Sequence, residues 1–359
     1  MWDIPYAEQK KVKLKVLSEL LHIKSDEIQF HSYAEFGLRQ RFDFIIKNNE
    51  IGLLNKNKDL IPIKRCLQLN TELQKALSLL HTLPFNIRIG TLRIRNSRFV
   101  DKFGLWLDFA NTDIKRLLEE KNLLNSLDQH FYIEIGQKKK SFINTSNNEQ
   151  YKLSEPLPRL WFETYDYKNK KSIGLFSAIS SFTQPSAETS KIISDLIINW
   201  LQKISAHHIW EFGSGIGQYS IPLLSLGYNL TCFEIDDFAI ECLNKSAEHL
   251  KEHLQKPPYL EIHKGNFHSK EAFQKIQFKN SPDVILVNPP KSGLKEFTYN
   301  LISTNASSII YISCFPESFK IDIDLLKIHG FETIDIHIVD QFPQTKHFEV
   351  IALLQRIHR

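Results

Sequence analysis

From about residue 190 onward, short apolar runs alternate with amphipathic helical stretches, and this rhythm limits the chain more than any other feature. "HIWEF", "NLTCFEI", "YLEIHKG", "DVILVNPP" and "SIIYISC" read as strands, separated by stretches such as "FAIECLNKSAEHLKEHL" and "ESFKIDIDLLKIHG". Strand and helix in alternation build βα units, hence a parallel sheet with helices on both faces. The last two strands, "TIDIHIVDQF" and "HFEVIALLQR", follow each other without a helix. They predict an antiparallel pair at one edge of the sheet.

The first half has a different texture. "YAEQKKVKLKVLSELL" places Val12, Leu14, Val16, Leu17, Leu20 and Leu21 at helical spacing. "LRQRFDFIIKNNEIGLL" reads as a hairpin around "NNEIG", and "FNIRIGTLRIRNSR" alternates apolar and basic residues at period two. With helices near residues 70 to 82 and 112 to 127, these pieces predict a mainly antiparallel α+β region over residues 1–165, followed by an α/β domain over 166–359. A length of 359 residues suits two domains of about 150 residues each. In the alternating stretch Ile87, Ile89, Leu92 and Ile94 are expected to face a core. Arg88, Arg93, Arg95 and Arg98 would then form a basic face beside Phe99 and Trp106, suited to phosphates and unstacked bases. A solvated sheet face is the plainer reading of the same pattern. Residues 1 to 160 hold 26 Lys/Arg against 19 Asp/Glu, and the remainder 19 against 22, so the basic excess lies in the first part. That asymmetry points to a polyanion bound there.

No segment approaches about 18 uninterrupted apolar residues, and the amino terminus lacks the apolar stretch of a secretory signal, so a cytoplasmic protein without a membrane span is expected. The four cysteines, Cys66, Cys232, Cys242 and Cys314, show neither C-x-x-C nor His-rich spacing, and no metal site is expected.

Three stretches carry chemistry. "WEFGSGIGQYS" follows the first strand of the α/β domain, and Gly213, Gly215 and Gly217 let the backbone approach a ligand at the strand's carboxyl end. Their G-x-G-x-G spacing departs from the G-x-G-x-x-G that cradles a pyrophosphate. It favours S-adenosylmethionine over a dinucleotide. Glu234 ends the next strand, where a carboxylate can accept hydrogen bonds from ribose hydroxyls. "VNPPKSG" ends the fourth strand, its two prolines making a rigid rim. Cys314 closes the fifth strand at the same edge. Taken alone, a cysteine at a strand end is a small packed hydrophobe. Glu349, however, interrupts the apolar strand in "KHFEVIALL", where a carboxylate needs a reason, and the two can act as nucleophile and base.

These motifs together resemble the S-adenosylmethionine-dependent RNA uracil carbon-5 methyltransferases, which make 5-methyluridine in tRNA and rRNA. The likeness runs in order through "SFTQPS", "EFGSGIGQYS", "CFEIDDFAI", "LVNPPKSG", "YISCFPES" and "DQFPQTKHFEVIALL". It is fainter in the first half, at the leading helix, "FGLRQRFDF" and "KRCLQLN". The resemblance implies a Rossmann-like class I methyltransferase domain behind an RNA-binding region. It makes Cys314 the nucleophile and Glu349 the base, and it assigns cofactor contacts to Gln184, Phe212, Gly213, Gly215, Glu234 and Asn288. The implied partner is rRNA, 23S by preference, or tRNA, and the implied state is a monomer. Many rRNA-modifying relatives hold a [4Fe–4S] centre on four amino-terminal cysteines. Only Cys66 stands near such a position, so no iron–sulfur cluster is expected.

Three positions depart from the family's pattern: Asn288 replaces the commoner aspartate, Lys291 the usual arginine, and Phe315 the asparagine after the nucleophile. Two other readings stand beside this one. The NPP motif could serve amino methylation, for which Cys314 would be dispensable, or the chain could bind RNA without catalysis.

Overall fold

In the computed structural model the described residues are 1, 3–137, 139–145, 150–252, 254–266 and 280–357. They form two units, one of Met1–Glu35, Thr164–Ile173 and Glu188–Arg359, the other of Phe36–Glu163 and Gly174–Ala187.

The chain opens with α1 (Tyr6–Leu21) and the three-residue strand β1 (Gln29–His31). Both belong to the first unit, although they lie ahead of the boundary read from sequence at residue 165. The cause is packing: Leu17 of α1 is fully buried in that unit's core, and Ile28 is buried there too.

The second unit is built on β2 (Arg41–Lys47), β3 (Glu50–Leu54), β4 (Leu60–Pro62), α2 (Thr71–Leu80), β5 (Ile89–Arg95), β6 (Phe103–Phe109), α3 (Asn111–Glu119), α4 (Lys121–His130), β7 (Phe131–Ile135), β8 (Lys140–Thr145) and β9 (Gln150–Ser154). Its eight-stranded sheet has the order β4-β3-β2-β5-β6-β7-β8-β9. All neighbours are antiparallel except β6 and β7. The expected hairpin turns at Asn48 and Asn49, both at positive φ, a conformation asparagine tolerates better than most residues. Phe44, Leu73, Leu92, Ile94, Leu105 and Leu124 fill the core.

Two expectations for β5 fail. Ile89 is 51% exposed, because it lies where the strand begins, at the rim of the sheet. Arg95 is 1% exposed, because residues 177–183 cover its face. Its guanidinium donates to Ser177 Oγ (3.2 Å), the carbonyls of Ala178 (2.9 Å) and Ser181 (2.8 Å), and Thr183 Oγ1 (3.0 Å). Arg93 makes a bidentate pair with Asp43 and donates to the Ser180 carbonyl, while Arg98 pairs with Glu163. Glu134 completes the clamp, its two oxygens accepting the amides of Ile179 and Ser180 at 2.9 Å each. Much of the expected basic face is therefore spent inside this unit, holding the segment that leads to Gln184.

A hairpin of β10 (Arg159–Asp166) and β11 (Lys171–Ser177) carries the chain onward. Then come α5 (Ala187–Ile204), β12 (His208–Phe212), α6 (Ser220–Ser225), β13 (Asn229–Glu234), α7 (Asp237–Lys251), β14 (Leu260–Lys264), β15 (Val284–Val287), α8 (Phe297–Ile302), β16 (Ser308–Ser313), α9 (Pro316–Ile328), β17 (Phe331–Val339) and β18 (Glu349–Arg356). This sheet has the order β1-β17-β18-β16-β15-β12-β13-β14. Strands β12 to β16 pair in parallel, as the βα rhythm predicts. β18 runs antiparallel to both β16 and β17. The last two strands are thus antiparallel as expected, but they are not the edge: β1 pairs in parallel outside β17. The central strands are buried on both faces, as a helix-covered parallel sheet requires. Among the described residues no helix is long and apolar enough to cross a membrane.

Candidate active site

In an open α/β sheet, ligands bind outside the carboxyl ends of the strands. Here that edge collects the ends of β12, β13, β15 and β16. It also collects the beginning of β18, because β18 alone among them runs the other way. The ladder pairs Ser313 with Val350. Cys314 follows Ser313 and Glu349 precedes Val350, and the Glu349 carboxyl is near enough to act electrostatically on the thiol. A thiol and a carboxyl group that are 35 positions apart in sequence are thus brought to the same end of neighbouring strands.

Cys314 is half-buried and lies immediately before α9. Phe315 caps the helix in extended conformation, and Pro316 occupies its first turn, where a missing N–H costs nothing. Ser313 Oγ accepts the Phe315 amide at 3.1 Å, and Ser318 Oγ donates to the Phe315 carbonyl at 3.0 Å, so the turn is pinned on both sides. Burial pushes the thiol up from its ordinary range and the neighbouring Glu349 adds to this, while Lys291 and a backbone hydrogen bond pull it down. Glu349 is 3% exposed, and burial alone pushes its carboxyl up to about 8. A proton acceptor with a pKa near neutrality is well matched to general-base work. Phe315, where the family pattern has asparagine, is 38% exposed.

The glycine turn follows β12. Gly213, Gly215 and Gly217 have φ of 78°, 55° and 89°, a region glycine enters without penalty. A Cβ on Gly217 would lie 2.4 Å from Leu243 Cδ1, whereas one on Gly215 would meet nothing within 4 Å. The first glycine is needed for the turn, the last for packing, and the middle one opens onto free space. The Gly213 amide donates to the Phe233 carbonyl (2.9 Å) and the Asn288 amide to the Phe212 carbonyl (3.2 Å), tying three strand ends together. Glu234 accepts the amides of Gly215 (2.8 Å), Ile235 (2.8 Å) and Asp236 (3.0 Å). The Phe212 ring is fully buried, stacked on Phe233 with centroids 4.2 Å apart. Its side chain belongs to the core.

Of the residues singled out from sequence, Phe212, Gly213, Gly215, Glu234, Asn288, Cys314 and Glu349 all lie at this edge of one unit. Gln184, 4% exposed, is carried by the other unit.

Two buried carboxyl groups escaped sequence reasoning. Glu211, beneath the glycine turn, accepts from Ser220 Oγ at 2.6 Å, and burial pushes it up to about 8. Its signal was available, since it interrupts the apolar run "HIWEF" as Glu349 interrupts its own. Asp322 of α9 accepts the Leu294 amide (2.7 Å) and the Tyr311 hydroxyl (2.5 Å), joining the NPPKSG loop to the helix behind Cys314. Gly293 is obligatory there: φ is +76°, and a Cβ would lie 2.6 Å from Asp322 Oδ2. Nothing in the helical pattern around Asp322 announces this. The four cysteines are free, and the described residues contain no group of three or more His, Cys, Asp and Glu able to hold a metal ion.

Residues 163–357 match the family model described as tRNA (uracil-5-)-methyltransferase. An uncharacterized RNA methyltransferase of Bdellovibrio bacteriovorus is 35% identical over 367 residues, covering 98% of this chain and 91% of the relative. A 23S rRNA (uracil(747)-C(5))-methyltransferase of Shewanella loihica is 30% identical over 186 residues, 52% of this chain and 47% of that protein. The crystal structure of Pyrococcus abyssi tRNA (uracil-54, C5)-methyltransferase in complex with S-adenosyl-L-homocysteine superimposes with a TM-score of 0.71 at 19% identity, covering 98% of this chain and 84% of that one.

Proposed function

This chain belongs to the tRNA (uracil-5-)-methyltransferase family, and we propose that it methylates carbon 5 of a uridine in ribosomal RNA through a covalent adduct of Cys314. It is an S-adenosylmethionine-dependent RNA methyltransferase. The observation that supports the mechanistic reading is the antiparallel pairing of β16 and β18, which brings Cys314, just past the end of β16, to the place where the buried, high-pKa Glu349 begins β18.

The residues at the glycine turn fit the methyl donor. Gly215 leaves room in front of its backbone, and Glu234 ends β13 beside it. Both can receive a nucleoside and its ribose hydroxyls. When bound, S-adenosylmethionine supplies an electrophilic methyl group.

Uracil carbon 5 is too weak a nucleophile to take that methyl unaided. The Cys314 thiolate adds to carbon 6, forming a sulfur–carbon bond and pushing the ring's electron pair into an enolate whose carbon 5 is reactive. Lys291 and the amino-terminal end of α9 favour the thiolate, against the desolvation that opposes it. After methyl transfer carbon 5 carries both methyl and hydrogen. Glu349 removes that proton, the carbon 5–carbon 6 double bond returns, and the sulfur leaves as thiolate. The uridine must be flipped out of its stack to be reached from both faces. We assign the task of holding the folded RNA to the unit of residues 36–163 and 174–187.

Ribosomal RNA is the preferred substrate because the Shewanella relative, named for 23S rRNA, is 30% identical over 52% of this chain. Labelled S-adenosylmethionine offered to total rRNA and tRNA from a deletion strain, with the modified base mapped, tests that choice. Label entering tRNA alone would overturn it. The nucleophile is tested with 5-fluorouridine RNA, whose carbon 5 bears no hydrogen after methylation, so the adduct cannot resolve. A denaturant-stable complex is expected with the native protein and none with Cys314→Ala. A complex that persisted in the alanine variant would remove Cys314 from the reaction.

A further inference from the structure

We infer that Lys13, with Tyr6 and Gln9, is a positioning residue for the proton-abstraction step: helix α1 holds the loop that delivers Glu349. This inference rests on the reading of Glu349 as the base.

The loop of residues 340–348 joins the end of β17 to the start of β18, and the ladder pairs Val339 with Glu349, so the loop closes directly on the base. Beside contacts with His31, Glu35 and Thr189, α1 supplies a set of its anchors. Lys13 Nζ donates to Asp340 Oδ1 at 2.8 Å and to the Phe342 carbonyl at 3.2 Å, with Lys13 1% and Asp340 0% exposed. The Tyr6 hydroxyl donates to Asp340 Oδ2 at 3.0 Å. Gln9 makes a reciprocal pair with Gln344: its Nε2 donates to Gln344 Oε1 at 2.7 Å, and its Oε1 accepts the Gln344 amide at 3.0 Å. Gln344 sits at φ +67°, a conformation a non-glycine residue keeps only when its surroundings hold it. Tyr6, Gln9 and Lys13 recur every three or four residues, hence on one face of the helix.

A buried ammonium–carboxylate pair is a poor source of stability compared with apolar packing. Two turns of α1 nevertheless devote their inward face to polar groups, all aimed at the loop before Glu349. Such an arrangement fixes geometry: a base displaced by about 1 Å loses reaction rate without losing its fold.

The full-length protein carrying Lys13→Met together with Asp340→Asn removes the pair without stranding a buried charge, and Lys13→Arg retains it. The inference requires that the double variant bind S-adenosylmethionine and complete the first methyl transfer within twofold of the native rate. Multiple turnover should fall at least tenfold, and a denaturant-stable protein–RNA adduct should accumulate on ordinary uridine RNA, because release of the methylated adduct is the step that needs Glu349. Lys13→Arg should restore turnover. Turnover within twofold of native in the double variant, or a loss of turnover with no adduct, overturns the inference. Should the double variant not fold, Tyr6→Phe with Gln9→Met is held to the same adduct criterion. The native protein with 5-fluorouridine RNA is the control: if it forms no adduct, the nucleophile reading itself falls, and this inference with it.

Discussion

Glutamine at position 349 should stabilise the protein at alkaline pH while disabling it. Glu349 is 3% exposed, and burial pushes its carboxyl from 4.5 up to about 8. The sign follows from proton counting. Between 4.5 and about 8 the folded chain keeps this proton and the unfolded chain releases it, so stability contributed by the group falls as pH rises through that window, at ~1.4 kcal/mol per pH unit. At pH 7 the native protein has lost ~3 kcal/mol to this single group, and above pH 8 the loss levels off near ~5 kcal/mol. Glu349→Gln has no proton to lose. Urea unfolding followed by tryptophan fluorescence at each pH from 5 to 9 should therefore show the variant gaining ~4 kcal/mol on the native protein across the series. The change with pH is the diagnostic, because any constant difference between amide and carboxyl packing cancels. Methyl transfer by the variant should stall at the covalent adduct. A stability difference that stayed flat within ~1 kcal/mol from pH 5 to 9 would mean that the carboxyl is not dry, and the argument that burial tunes it as a base would fail.

The same two perturbations bear on the pH profile: in the proposed mechanism Cys314 and Glu349 act in their ionised forms, and both are pushed up, so turnover should climb from pH 6 to 9, and a profile already flat at pH 6.5 would contradict the site. Gly217→Ala forces a side chain into φ +89° and against Leu243, costing about 2 kcal/mol, measurable as a lowered melting temperature with weakened methyl-donor binding. Glu234→Gln points an amide donor at amides that Glu234 now accepts, and calorimetry should show S-adenosylmethionine binding about tenfold more weakly, ~1.4 kcal/mol. Arg95→Ala strips four hydrogen bonds from the segment before Gln184 and should destabilise its unit by about 3 kcal/mol in thermal unfolding, with Arg95→Lys recovering only part, since an ammonium cannot reproduce the planar fork.

The parts of the fold legible in the sequence are those fixed by local periodicity. β12 to β16 follow from the βα rhythm, and the antiparallel character of β18 follows from the missing helix before it. What stayed hidden depends on partners distant in sequence. β1 is three residues long, too short to show a period, and its partner β17 begins near residue 331. Only the fold could reveal that the amino terminus completes the methyltransferase unit. Arg95 reads as one more solvent-facing arginine of a period-two strand until residues 177–183 are laid over it. Two buried carboxyl groups show the opposite behaviour. Glu349 and Glu211 each break an apolar strand, and the desolvation that makes such a residue expensive is what makes it visible. Asp322 sits in a helix whose pattern accommodates an acidic residue anywhere along its outer face, and so gives no such sign.

The placement of Glu349 is a consequence of strand direction. In a wholly parallel sheet the carboxyl edge is furnished by loops, and a residue's position there depends on how each loop happens to settle. β18 departs from that arrangement: inserted antiparallel between β16 and β17, it brings a strand's first residue to the edge where its neighbours end. Cys314, one residue past the end of β16, and Glu349, the first residue of β18, are then brought to one end of a largely buried hydrogen-bond ladder, which is stiffer than a loop. The same ladder makes the site unforgiving, since a slip of one residue would turn Glu349 to the opposite face and present Val350 to the thiol. Register must accordingly be held at the open end of the pair, where no further rungs exist. That is where Asp340 and Gln344 meet α1, so the polar face of the leading helix and the reversed strand are two halves of one constraint on the position of Glu349 and, in the proposed mechanism, on its proton transfer.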